Sequence, residues 1–347
     1  MMTTTQTGIA GWTTHTSGTP LLSVQGLTVE FSTAAGVARA LNDVSFEVSA
    51  GETLAILGES GCGKSTTAQA IMALLPKPAG TITSGKILYD GRDLAAEPVH
   101  KVREVCGTEI AMIFQDPLSS LNPVFRVGAQ VAEPFRARRG MPRKEAWARA
   151  LELLKRVGIP DAETRINDYP HQFSGGQRQR IMIAMALALD PKLLIADEPT
   201  TALDVTVQKQ VMGLLADLQA ETGMAMILIS HDLGVVAEVA NRAAIMYAGR
   251  IVETGEIRDM YDHPAHPYTK GLLESIPSQS SVGGRLKPIV GAPPNLLDLP
   301  RGCSFNPRCP FTTDLCRDLV PTLRTAEGRP VSHEAACHLS EEMLAHD

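Results

Sequence analysis

From Leu21 onward apolar and polar positions alternate. LLSVQGLTVEF reads as a strand ending near Phe31, and STAAGVA after it as a turn. ALNDVSFEVSAGE reads as a second strand closed by a glycine turn. The rhythm then changes. TLAILG, EIAMIFQDP, KLLIADEP and MAMILIS each hold a short unbroken apolar run, the pattern of strands buried on both faces of a parallel sheet. Between them a 3.6-residue rhythm predicts helices from Lys64 to about Leu75 (stopped by Pro76 and Pro78), over about residues 127–157, up to Leu189, and through VQKQVMGLLADLQAE. SGKILYDGRDL reads as an edge hairpin segment and AAIMYAGRIVETG as a closing hairpin. Strands alternating with helices imply an α/β core with a mostly parallel sheet. A helical block over about residues 116–185 interrupts it. After Ile257 proline, glycine and serine become dense, so residues 258–347 are expected to form an irregular extension, and residues 1–20 a polar tail.

A chain of 347 residues suits two domains, or one large domain with an appendage. The formal charge is 32 − 38 = −6 and aromatic residues are 4%, which argues against nucleic-acid binding by a basic patch or a stacking platform. The longest apolar stretch, Ile181–Leu189, runs into Asp190 and falls far short of the ~20 residues of a membrane span. The first residues show neither a basic region nor an apolar one, so no secretory leader is expected and the chain is placed in the cytoplasm.

Chemistry first shows at Gly58-Glu59-Ser60-Gly61-Cys62-Gly63-Lys64-Ser65, which fits GxxxxGK[ST] between a buried strand and a helix. That is the context of a phosphate-binding P-loop. Gly58, Gly61 and Gly63 let backbone amides curl around phosphates, the helix N-terminus adds a positive dipole end, and Ser60 and Cys62 lie on the same loop. Lys64 can reach the β- and γ-phosphates, and Ser65, followed by Thr66, can ligate Mg²⁺. The Cys62 thiol is expected to be inert. LLIADE supplies the second half: Asp197 at the strand end to hold Mg²⁺ through water, then Glu198 as general base toward the attacking water.

Phe173-Ser174-Gly175-Gly176-Gln177, just before a helix, resembles the LSGGQ signature of the nucleotide-binding subunit of an ABC transporter. Two glycines at a helix N-terminus form an anion site. The resemblance implies that Ser174, Gly175, Gly176 and Gln177 bind the γ-phosphate of ATP held by a partner subunit. It also implies a Q-loop Gln115 contacting Mg²⁺ and water, a D-loop at Ala202-Leu203-Asp204, a switch His231 contacting the γ-phosphate, and an adenine-stacking Phe31. The implied fold is a RecA-like P-loop core with a helical subdomain, over residues 21–257. Translation-type ABC proteins carry two cassettes and repair types a long coiled coil, and neither is present here. The motifs are complete, which argues against a binding module with dead catalysis.

Within that family the chain is similar to the ATPases of oligopeptide and dipeptide importers, through FQDPLSSLNPVFRVGAQ, HPAHPYTKGLL and GCSFNPRCP. Nickel, glutathione and oligosaccharide importers are alternatives for the cargo. The resemblance implies two transmembrane permease subunits, a second ATPase (a different chain favoured over a second copy), an extracytoplasmic substrate-binding protein, and a peripheral place on the cytoplasmic face of the inner membrane. Cys303, Cys309, Cys316 and Cys337 are spaced C-x5-C-x6-C-x20-C. Four thiolates suit Fe–S or tetrahedral Zn²⁺, and unligated thiols are a third reading. The resemblance favours a structural [4Fe–4S] cluster. His263 and His266 are expected to pack or cap beside prolines.

Overall fold

The structure, a computed structural model, describes residues 19–275 except 202, together with 288–325 and 330–339. All but two residues of the expected tail, Ala202, and the IPSQSSVGG stretch lie outside the described residues.

The strands are β1 (Leu22–Thr33), β2 (Gly36–Val48), β3 (Thr53–Leu57), β4 (Gly80–Tyr89), β5 (Arg92–Asp93), β6 (Ile110–Ile113), β7 (Leu193–Asp197), β8 (Ala225–Ser230), β9 (Arg242–Tyr247), β10 (Arg250–Glu256), β11 (Arg324–Thr325) and β12 (Glu334–Ala335). The helices are α1 (Lys64–Ile71), α2 (Val99–Val105), α3 (Pro117–Ser120), α4 (Val127–Arg139), α5 (Arg143–Arg156), α6 (Ala162–Arg165), α7 (Gly175–Leu187), α8 (Val205–Thr222), α9 (Leu233–Val236), α10 (Ile257–Asp262), α11 (Pro267–Glu274) and α12 (Asp314–Asp318). One antiparallel sheet has the order β2-β1-β4-β5; the larger sheet runs β11-β12-β10-β9-β3-β8-β7-β6. Its β9, β3, β8, β7 and β6 are mutually parallel.

The unbroken apolar runs are explained by burial on both faces. Leu54 and Ile56 of β3 join one core cluster, with Leu193, Ile195, Ile227 and Ile229. Ala55 and Leu57 join the other, with Leu194, Ala196, Met226 and Leu228. A sheet covered on both sides has no polar face to alternate with. Truncating Leu194, which is fully buried, to Ala would cost about 2–5 kcal/mol.

Local breaks differ from the periodic reading where the backbone turns left-handed. α1 stops at Ile71 rather than near Leu75, because Ala73 takes φ 52°. The stretch 127–157 splits into α4 and α5: Gly140, at φ 62°, ends the first, and Pro142 opens the second. β1 and β2 extend into the expected STAAGVA turn, leaving residues 34 and 35 between them.

The extension is less irregular than its composition suggests. α10 and α11 follow directly on β10, and β12 pairs with β10, so the extension enters the main sheet. The carboxylate of Glu253 on β10, fully buried, binds it down. It accepts hydrogen bonds from the Ala265 and His266 amides and pairs with the His333 ring at 2.8 Å. Phe305 stacks edge-on to Tyr247 and tilts against Tyr268 and His266. The apolar area that drives this packing belongs to aromatics scattered over the sequence, which no periodic pattern reveals.

His266 caps α11, its Nδ1 accepting from the Tyr268 amide at 3.0 Å. Burial depresses its pKa to about 3. An unfolded histidine titrates near ~6.5. Between these values the unfolded chain binds a proton that the folded chain refuses, so stability falls as pH drops from about 6.5 toward 3, by up to ~1.4 kcal/mol per pH unit. His266→Asn keeps a capping acceptor. Denaturant titrations at a series of pH values should show a shallower loss of stability between pH ~6 and ~4 in this variant than in the parent; equal slopes would contradict this role of His266.

Candidate active site

Four chain segments leave the carboxyl ends of adjacent parallel strands. Leu57 of β3 pairs with Ser230 of β8, and Ile229 of β8 with Asp197 of β7. Ile113 of β6 pairs with Ala196. The loop at Gly58, the acidic pair at Asp197 and Glu198, Gln115 and His231 therefore emerge side by side.

The loop between β3 and α1 is shaped by glycines. Gly58 has φ 152°, and a Cβ there would lie 2.2 Å from the Met246 carbonyl oxygen. Gly63 has φ 115°, and a Cβ there would lie 2.7 Å from the Ala40 carbonyl oxygen. Only glycine fits either place. The loop fits a phosphate group: it is a tight backbone cradle leading into a helix. Lys64 is buried, and its Nζ donates to the carbonyls of Gly58 at 2.8 Å and Glu59 at 3.0 Å. Ser60 and Gly61 are exposed, Cys62 is buried with its thiol pKa raised by burial, and Thr66 is half-buried on the first turn of α1.

The Ser65 hydroxyl donates to Asp197 Oδ1 at 3.0 Å. Burial raises the Asp197 pKa, and the Ser65 hydroxyl works against that rise. A hydroxyl beside a carboxylate, with phosphate oxygens and water to complete the shell, fits Mg²⁺. Glu198 adopts φ 46° and its amide donates to the Ile229 carbonyl at 2.9 Å. Its Oε2 accepts from Gln115 Nε2 at 3.0 Å and from the Thr201 hydroxyl at 2.8 Å, and lies 3.4 Å from His231 Nδ1. One carboxylate thus gathers three polar side chains from three different segments. Such an arrangement can orient a water and accept its proton. Thr201 has no motif of its own in the sequence reading; the threonine run after Glu198-Pro199 was the available signal.

Ser174 caps α7. Its Oγ accepts from the Gln177 amide, and Gln177 Oε1 accepts from the Ser174 amide, a capping box. A Cβ on Gly176 would lie 2.5 Å from Val207 Cγ1, so that glycine lets α7 pack on α8. Arg165 sits 4.1 Å over the Phe173 ring and donates to Gln177 Oε1 at 3.2 Å. Nothing at the signature itself pointed to Arg165, which lies 12 residues before Gln177. Asp204 is exposed and caps α8 through the Val207 amide. Phe31 is half-buried in the antiparallel sheet, paired with Gly80, whose added Cβ would lie 2.9 Å from the ring.

The four late cysteines are unbridged. The Cys303 amide donates to the Cys316 carbonyl at 2.8 Å. Burial, reinforced by the neighbouring Cys303 and Cys316, pushes the Cys309 thiol up to about 11. Burial, with the nearness of Cys303, Cys309 and Cys316, does the same for Cys337. The donor chemistry of these four unbridged cysteines suits a soft metal centre. Yet among the described residues no three His, Cys, Asp or Glu side chains converge as a metal-holding group. The expected cluster, or Zn²⁺, therefore does not find a preformed ligand set there.

Residues 41–201 match the ABC transporter family, and residues 252–316 match the family described as oligopeptide/dipeptide transporter, C-terminal region. The dipeptide transport ATP-binding protein DppD of Bacillus subtilis (strain 168) is 48% identical over 328 residues, covering 94% of this chain and 96% of its own. A provisionally named peptide import ATP-binding protein of Brucella melitensis biotype 1 is 48% identical over 337 residues, covering 94% of this chain and 99% of its own. Among solved structures, the dimeric post-hydrolysis state of the ATP-binding cassette MJ0796 bound to ADP and Pi is similar with a TM-score of 0.62 and 29% identity, over 68% of this chain and 99% of that one.

Proposed function

The chain belongs to the ABC transporter family, among its peptide-importer ATP-binding proteins and as an ATPase, and from that premise we propose how its residues divide the work. The observation that carries the reading is the meeting of Lys64, Ser65, Asp197, Glu198, Gln115 and His231 at the carboxyl ends of neighbouring parallel strands. The P-loop amides and Lys64 bind the β- and γ-phosphates of ATP, and Phe31 stacks on the adenine. Ser65, Asp197 and Gln115 would hold Mg²⁺, which would neutralise phosphate charge. Glu198 takes a proton from water as the water oxygen bonds to the γ-phosphorus, and the bridging bond to ADP breaks. Gln115, Thr201 and His231 hold the Glu198 carboxylate toward that water, and His231 also meets the γ-phosphate.

Ser174, Gly175, Gly176 and Gln177 complete the site of a second ATPase subunit, with Asp204 at the interface between the two. A different chain is favoured as that subunit. The cargo is a peptide; the match to the transporter C-terminal region and the names of the relatives support this. The partners are two permease subunits and an extracytoplasmic binding protein, with this chain peripheral on the cytoplasmic face of the inner membrane. Among the described residues no helix is long and apolar enough to cross a membrane. Docking on the permease is supported by a groove of about 720 Å³ in the helical block, lined by Phe125, Arg126, Arg143, Trp147 and Tyr169, with Val124 and Phe125 exposed on its rim. Residues 21–257 are the ATPase domain and 258–347 its extension. In that extension we also propose a [4Fe–4S] cluster on Cys303, Cys309, Cys316 and Cys337, supported by four unbridged cysteines in one extension; binding would draw the thiols together, and the cluster would act as a structural staple.

Glu198→Gln should retain ATP binding and lower turnover by about 10²–10⁴-fold in the assembled transporter; undiminished hydrolysis would remove Glu198 as the base. Ser174→Arg should silence the partner's site while its own P-loop still binds nucleotide; equal loss of both would refute the division between subunits. Anaerobically purified protein should carry about four irons and four acid-labile sulfides per chain. Iron-free protein would dispose of the cluster and leave the ATPase reading intact.

A further inference from the structure

Glu59, the first variable residue of the P-loop, is gripped at three points. Its carbonyl accepts from Lys64 Nζ at 3.0 Å. Its amide donates to the Tyr268 hydroxyl at 2.8 Å. Its carboxylate takes both arms of the Arg308 guanidinium, at 2.6 and 2.9 Å. The second and third grips come from the C-terminal extension, 209 and 249 residues away.

Both gripping residues are themselves fixed. Tyr268 is fully buried and its ring packs edge-on to Tyr247. The Arg308 side chain is 4% exposed. Its Nε donates to the Val290 carbonyl at 3.1 Å, and Nη1 also reaches the Tyr247 hydroxyl at 3.4 Å. A planar guanidinium so satisfied presents a rigid fork, which specifies the position of a carboxylate more closely than a flexible ammonium can. Tethering the Glu59 amide outward takes that donor out of the phosphate cradle. The same residue's carbonyl holds the lysine that must reach the phosphates.

We infer that Arg308 and Tyr268 are positioning residues of the nucleotide site: the extension sets the shape of the P-loop through Glu59, and with it the affinity for nucleotide. The inference rests on the reading of this loop as the ATP site. It gives the extension a role in ATP binding, and Arg308 exerts it from between Cys303 and Cys309.

The test is equilibrium titration of the full chain with fluorescent mant-ATP and Mg²⁺. Arg308→Gln should weaken binding about 5–10-fold, and Glu59→Gln by a similar factor. The double variant should be no weaker than either single, because both remove one interaction. Arg308→Lys, which keeps the charge and loses the fork, should recover only part of the affinity. Tyr268→Phe should weaken binding by a smaller factor. Arg317→Gln is the control, since Arg317 pairs with Asp314 in the same extension and stays exposed. It should bind as the parent does. In the assembled transporter the Arg308→Gln loss should fall on the KM for ATP with kcat within about twofold. Unchanged affinity in Arg308→Gln, additive losses in the double variant, or an equal loss in the Arg317→Gln control would overturn the inference. Lys64→Ala separates the two levels: if it too binds normally, the nucleotide-site reading fails; if it alone loses binding, only the role of the extension fails.

Discussion

Everything chemical in this protein depends on the register of four parallel strands. Leu57, Ser230, Ile229, Asp197, Ala196 and Ile113 stand in matched pairs across β3, β8, β7 and β6. Because side chains alternate along a strand, a slip of one residue would exchange the two cores and carry Asp197 to the wrong face. The register is held by packing on both faces at once, with Ile195 and Ile229 on one side and Leu194 and Leu228 on the other. Hydrophobic burial thereby supplies the precision that a phosphate site needs.

Onto that frame the site adds backbone conformations that would otherwise be unfavourable. Glu198 sits at φ 46°, where a residue with a Cβ pays a steric cost, and its amide is held by Ile229. The turn brings its carboxylate against Gln115, Thr201 and His231. The P-loop glycines solve the opposite problem: close backbone neighbours leave no room for a side chain at Gly58 or Gly63. At the α7 end a capping box satisfies the Ser174 and Gln177 amides, and Gly176 leaves room for Val207 of α8.

The extension shows how a segment with little periodicity acquires a fixed place. Buried Glu253 binds two backbone amides and a histidine ring, and Phe305 closes an aromatic cluster with Tyr247 and Tyr268. The same cluster orients Arg308 toward Glu59, so stability and nucleotide geometry share residues. The four cysteines of the extension are unbridged, and half-buried or buried.

The α/β core was legible along the chain because its strands are contiguous apolar runs and its helices keep one rhythm. The P-loop, the acidic pair and the SGGQ segment were legible because each is a contiguous string of residues. What could not be read there is every contact between distant segments. Glu59 with Arg308, Glu253 with His333, and Thr201 and Gln115 on one Glu198 oxygen pair groups that composition and spacing treat as unrelated. Helix ends shifted where single residues turned left-handed, as at Ala73 and Gly140, a choice set by neighbouring packing. Local pattern names the parts because their propensities act over a few residues. Their assembly is set by burial and by charges that meet only once the chain has folded back on itself.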